Sequence, residues 1–217
     1  DRNVEGVVEM MLDATQNYSA PLTAARLFGW HAALFPTGYS GMHKITVARW
    51  RDDSRGPMQV VSGPIGRERV HFEAPAAARL DREMSAFLQW FETEDATDPV
   101  LRAGLAHLWF VTIHPFDDGN GRIARAIAEM ALARSEKSSQ RFYSMSAQIR
   151  IERNTYYDWL EKTQETGLDI TLWLEWFLAC LDRAFDHTEI TLGSVLRKAR
   201  FWEIHAHKSF NDRQRLM

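Results

Sequence analysis

Residues His114 to Arg125 read His-Pro-Phe-Asp-Asp-Gly-Asn-Gly-Arg-Ile-Ala-Arg, and this stretch decides the fold. Upstream, Leu105, Leu108, Trp109, Thr112 and Ile113 recur at helical spacing within an apolar segment that begins at Leu101. Downstream, Ile123, Ile127, Met130 and Ala131 do the same as far as Arg134. The periodicity predicts a helix, a tight loop and a second helix. A glycine-flanked loop running into a helix N-terminus leaves backbone N–H groups unpaired at the positive end of the helix dipole, which suits an anion. With Arg122 and Arg125 at the start of that helix, the anion reads as a polyphosphate.

The rest of the composition narrows the class. A chain of 217 residues can bury one sizeable core, and its 8 tryptophans and 12 phenylalanines supply one. A formal net charge of −3 excludes a general nucleic-acid binder. The single cysteine, Cys180, excludes an internal disulfide and fits a reducing compartment; beside Trp176, Phe177 and Leu181 it reads as a buried structural thiol. No apolar run is long enough for a membrane span and no signal-peptide pattern opens the chain, so a cytoplasmic protein without membrane contact is expected. The histidines outside the motif lack metal-ligand spacing, and no phosphate-binding loop of the Gly-x4-Gly-Lys type occurs.

Helical patterns dominate. Val4, Val7, Val8, Met11 and Leu12 form one stripe, with Asp1 as its cap. Further helices are predicted over Thr23–Phe35, Ala76–Glu92, Asn154–Glu165, Asp169–Asp186 and Leu192–Ala206. One segment breaks the pattern: Met58–Ser62 and Val70–Phe72 are short, β-prone and separated by a Gly-Pro-rich turn, a hairpin signal. The last residues are basic and end in a pattern that reads as a new helix capped by Asn211.

The motif resembles the signature of the Fic family, His-Pro-Phe-x-(Asp/Glu)-Gly-Asn-Gly-Arg-x-x-Arg, at every specified position. The resemblance implies an all-α Fic fold, a helical bundle with a short β-hairpin flap over the active site. Residues 1–18 would form an inhibitory helix region. Residues 19–190 would form the Fic core, with the flap at 57–73 and the motif at 114–125. Residues 191–217 would form a C-terminal helix leading toward a truncated winged-helix module. By the same resemblance the protein is a Mg²⁺-dependent protein adenylyltransferase, moving AMP from ATP to a Tyr, Thr or Ser hydroxyl of a target protein docked on the flap by strand addition. Removal of AMP, transfer of another nucleotide fragment, and a nucleotide-sensing regulator that touches nucleic acid only through an absent C-terminal module are the alternatives. A homodimer is compatible with all of them.

Each motif residue then has an expected task. His114 is the general base, largely neutral at pH 7 given an ordinary pKa of about 6.5. Pro115 sets the chain direction and Phe116 anchors the loop. Asp118 is the acid the family uses for Mg²⁺, while Asp117 at the variable position is expected to face solvent. Gly119 and Gly121 allow close backbone approach, Asn120 offers its amide to phosphate, and Arg122 and Arg125 neutralise the phosphate chain. Tyr156 and Tyr157 match an Arg-x-x-Tyr-Tyr segment whose first tyrosine lies by the nucleoside, which makes both adenine-pocket candidates. Asp1 to Gly6 resembles the family's inhibitory motif, with Glu5 expected to pair with Arg125 and Gly6 to give close approach to the nucleotide loop.

Overall fold

A computed structural model describes residues 2–64, 66–165 and 167–205 of the chain. Its helices are α1 (Arg2–Gln16), α2 (Ala24–Leu34), α3 (Leu80–Glu92), α4 (Pro99–Ile113), α5 (Asn120–Glu136), α6 (Met145–Ile151), α7 (Arg153–Glu165) and α8 (Thr171–Ile204). Between α2 and α3 lie two antiparallel strand pairs. One joins β1 (Tyr39–Ser40) to β2 (His43–Lys44), and the other joins β3 (Gln59–Ser62) to β4 (Arg69–Glu73). The expected mostly helical bundle with a short hairpin is therefore present.

Helix boundaries follow local chemistry. Thr23 starts α2 by accepting a hydrogen bond from the Arg26 N–H. Asp98 starts α4 by accepting from the Val100 and Leu101 N–H groups, and Pro99 occupies the first turn, where its missing N–H costs nothing. The core is built around the antiparallel pair α4 and α5. From Ile123 to Ala133 every residue of α5 except Arg125 is buried. A helix buried nearly all round must sit at the centre of the bundle, and its alanines let neighbours approach closely. α1 and α2 cover it on one side, while α3 and α8 pack on α4. In α8, Trp173, Trp176, Phe177, Cys180, Leu181 and Ala184 face the core. Burial there pushes the Cys180 thiol up to about 12, so it stays an inert, protonated side chain.

Three expectations change. The fully buried positions of α1 are Gly6, Met10 and Ala14; from the expected stripe Val7 and Met11 pack partly buried on the core, while Val4, Val8 and Leu12 are about half exposed. Both sets recur every four residues, and the small-residue face wins because it alone lets α1 lie tightly on α2. The two helices expected after Asp169 are one continuous α8, which crosses residue 190 without a break. Helix α6 and the β1–β2 pair were not anticipated, being too short to carry a period. Asp1 and the basic residues after His205, including the Asn211 cap, lie outside the described residues. Among the described residues no helix is long and apolar enough to cross a membrane.

Candidate active site

Helix α4 ends at His114, whose φ of 52° and ψ of 58° put a non-glycine residue in the left-handed region. That conformation costs about 1–2 kcal/mol and needs support from its surroundings. Arg51 supplies it. Its Nε donates to the His114 carbonyl at 2.8 Å, and its backbone N–H donates to the Pro115 carbonyl at 2.9 Å. Nη1 reaches Asp53 at 2.9 Å and Nη2 donates to the Pro75 carbonyl, just beyond β4. The guanidinium is fully buried, and that burial pulls its pKa below the ordinary arginine value while the Asp53 carboxylate works against the shift.

The His114 ring is fixed as well. Nδ1 lies 3.1 Å from the Val111 carbonyl and so must be the protonated nitrogen, which leaves Nε2 with its lone pair free. Burial holds the imidazole below its ordinary pKa, and nearby Arg51 pushes the same way; the Val111 bond and Asp118 oppose it. The ring is thus a neutral base at pH 7.

The loop after it is pinned from beneath. Phe116 is fully buried and stacks on His31, with ring centroids 4.2 Å apart and planes 9° from parallel. His31 has both nitrogens committed. Nε2–H donates to the Asp118 carbonyl at 3.1 Å, and Nδ1 accepts from the Ala48 N–H at 3.2 Å. Burial lowers its pKa, consistent with this neutral tautomer. Asn120 departs from its expected role. Its Oδ1 accepts from the Phe116 N–H at 3.0 Å and its Nδ2 donates to the Phe116 carbonyl at 2.8 Å, so the carboxamide braces the loop instead of serving phosphate. Asp117 departs too: its carboxylate accepts from the Thr46 N–H at 2.8 Å and ties the segment after β2 to the motif rather than facing water.

Asp118 accepts from the Ser40 hydroxyl and lies 3.6 Å from Arg122. Among the described residues no group of three or more His, Cys, Asp or Glu is placed to hold a metal. A single partly exposed carboxylate of this kind suits a hard cation whose other ligands are phosphate oxygens and water. Gly119, with φ of 86°, caps α5, and no side chain caps the helix there. A Cβ at Gly119 would lie 2.9 Å from the Phe35 ring, so both the conformation and the space require glycine. The first N–H groups of α5 are left open to an anion.

These residues border a cleft of about 720 Å³ between the β3–β4 hairpin, the loop and α7. His114, Asp118, Asn120, Gly121, Arg125, Tyr156 and Tyr157 all line it. Arg122 is not in the lining; its guanidinium stacks over Phe35, 4.7 Å from the ring centroid. The two tyrosines differ. Tyr156 is buried among Trp173 and Trp176, and its hydroxyl meets His107 Nε2 at 3.0 Å, so most of it is core. Tyr157 is 48% exposed, with Arg153 over its ring, and offers a face to a ligand.

Glu5 is exposed, does not line the cleft, and forms no ion pair with Arg125 among the described residues. The reason for Gly6 also differs from the expected one: a Cβ there would fall 1.9 Å from the Ala33 carbonyl oxygen. Its close approach is to the end of α2. That end carries Phe35, the residue under Gly119, so α1 touches the loop at one remove. Sequence reading missed Arg51, His31, Ser40 and Thr46. His31, a polar residue on the apolar Leu27–Trp30–Leu34 face of α2, was the one with a signal.

A family model for Fic/DOC proteins matches residues 21–132. The chain is 32% identical over 114 residues to a protein adenylyltransferase Fic of Nematostella vectensis, covering 52% of this chain and 25% of that protein. It is 40% identical over 81 residues to protein adenylyltransferase fic-1 of Caenorhabditis briggsae, covering 35% of this chain and 16% of that one. It thus spans about a quarter or less of the curated relatives it matches. A Fic family protein from Desulfovibrio desulfuricans G20 superposes with a TM-score of 0.64 at 24% identity, over 83% of this chain and 51% of that one. A Fic domain-containing signaling protein from Bacteroides thetaiotaomicron gives 0.63 at 23%, over 84% and 68%. With the motif, the fold and the family match in agreement, this chain belongs to the Fic/DOC family.

Proposed function

We propose that this protein transfers AMP from ATP to a hydroxyl group of a protein, releasing pyrophosphate. The observation that carries the reading is the fixed tautomer of His114, which leaves a basic Nε2 in the same cleft as the uncapped N-terminus of α5. In this reading the target oxygen attacks the α-phosphorus, its proton passes to Nε2, and the bond to pyrophosphate breaks. The open N–H groups of α5 and the Arg125 guanidinium hold the phosphate chain in line, while Arg122 lends charge from the side. Asp118 would hold Mg²⁺ together with phosphate oxygens, and the ion when bound offsets charge on the leaving group. Tyr157 supplies a face for the adenine. The β3–β4 hairpin presents a largely exposed strand to a Tyr, Thr or Ser segment of the target.

Regulation by Glu5 is part of the proposal in a restricted form. Glu5 and Arg125 each lack an ion-pair partner among the described residues, and α1 rests on α2 and α5. An inhibited arrangement would bring the two charges together and withdraw Arg125 from the γ-phosphate. Incubation with Mg²⁺ and α-labelled ATP tests both parts. Label should enter protein with the wild type, rise with Glu5→Gly and vanish with His114→Ala. No label under any of these conditions would refute the transferase reading, and equal label with and without Glu5 would refute the switch.

A further inference from the structure

The β3–β4 hairpin is a two-stranded ribbon with most of its surface in water, a form that is marginal by itself. Its base is well tied. The Ala74 N–H donates to the Met58 carbonyl at 2.9 Å, Arg51 holds the Pro75 carbonyl, and Asp53 accepts from the Ala77 N–H at 2.6 Å. Its far end, where Ser62 pairs with Arg69, has a different support. There a single carboxylate on α7, Glu161, takes both Arg69 and His71, the latter at 2.9 Å through Nδ1. Because Nδ1–H donates to Glu161, His71 Nε2 is free to accept the Ser62 hydroxyl, which draws β3 into the same cluster. The Glu161 side chain is only 19% exposed, and the paired hydrogen bonds hold its carboxyl below the usual carboxylate range.

We infer that Glu161 is a positioning residue for transfer: it latches the free end of the flap onto α7 and fixes the strand against which the acceptor is held. The inference rests on the transferase reading for its consequence, but the latch itself is a property of the folded chain. Glu161 also lines the cleft one turn beyond Tyr157, so the latch closes the wall between flap and α7.

Hydrogen exchange on the full chain tests the latch without any chemistry. In Glu161→Ala the hairpin amides should exchange about three- to tenfold faster, with α5 unchanged. The flap-side variant Arg69→Ala/His71→Gln should do the same, and combining it with Glu161→Ala should add nothing further. For transfer, an unlabelled His114→Ala copy of the chain serves as acceptor. Glu161→Ala should raise KM for that acceptor several-fold while calorimetric ATP affinity stays within about twofold. Unchanged exchange overturns the latch. Faster exchange with an unchanged acceptor KM overturns the positioning role, additive effects of the two variants overturn the shared cluster, and a loss of ATP affinity well beyond twofold means that Glu161 acts on nucleotide instead. Adenylylation recovered on Ser62 and lost with Glu161→Ala would replace the latch with an activated acceptor serine. Should the wild type transfer no AMP, the transferase reading falls while the exchange result still decides the latch.

Discussion

The motif loop and the flap hairpin face each other across one cleft, yet they are held in opposite ways. The loop from His114 to Gly119 is fixed by buried groups with no freedom left: Arg51 on two of its carbonyls, His31 beneath Phe116, and Asn120 closing it on itself. The flap stands in water and hangs from its base and from Glu161. In the proposed reaction, chemistry at phosphorus needs atoms held to a fraction of an ångström, whereas an acceptor strand must be admitted and released. The contrast teaches that the loop is held along its whole length by buried polar ties, whereas the flap is held at its base and at one cluster near its far end.

Breaking the rigid side should have the largest effect. Arg51→Met takes the guanidinium donor from the His114 and Pro75 carbonyls and leaves the partly exposed Asp53 carboxylate with only the Ala77 N–H; unsatisfied buried carbonyls at about 1–3 kcal/mol each, with the lost ion pair, cost about 3–5 kcal/mol. Urea unfolding measures it, and Arg51→Lys, which keeps the charge but not the fork, should recover only part. Asn120→Ala removes both bonds to Phe116 and should cost about 2–4 kcal/mol, from two buried backbone groups left unsatisfied.

Acidification sharpens the comparison, because the histidines around and beneath the loop are the ones buried in the neutral form. His31 and His114 are held below 6.5 mainly by burial, and His107 is pushed down to about 3. With folded pKa values below the unfolded one, unfolding takes up protons at acid pH. The stabilising contribution is complete above about 6.5 and falls as pH drops toward the folded values, by about 1.4 kcal/mol per pH unit for each fully buried neutral histidine. Denaturation midpoints between pH 7.5 and 5 should show that slope, and His107→Phe should lower it by close to one proton. A flap substitution should do least: Val70→Ser, at a half-exposed position, should shift global stability by about 0.5 kcal/mol or less in the same titration.

How much of this was legible in the sequence follows the same division. The loop and its two helices are contiguous, so their spacing and turn residues expose them directly, and Pro99 and Thr23 mark helix starts by local chemistry. Of the ties that fix the loop, Asn120 lies within the motif and His31 on α2, but Arg51 and Thr46 come from loops without a period, and no local signal connects them to His114 and Asp117. The face of α1 was misjudged because Val4, Val8 and Leu12 are more apolar than Gly6 and Ala14; only the approach to the Ala33 carbonyl shows why the smaller face is inside. For Tyr156 and Tyr157 the family resemblance implies the nucleoside for both, and burial divides them.

In the proposed function the loop holds nucleotide on its own while His114 acts only on the nucleophile. The direct measurement is paired on one sample of His114→Ala: calorimetric ATP binding with Mg²⁺, and transfer from α-labelled ATP in the Glu5→Gly background. The account predicts affinity within several-fold of the parent and transfer reduced by at least about a hundredfold, the scale of a lost general base. Transfer at the parental rate with binding intact would contradict it.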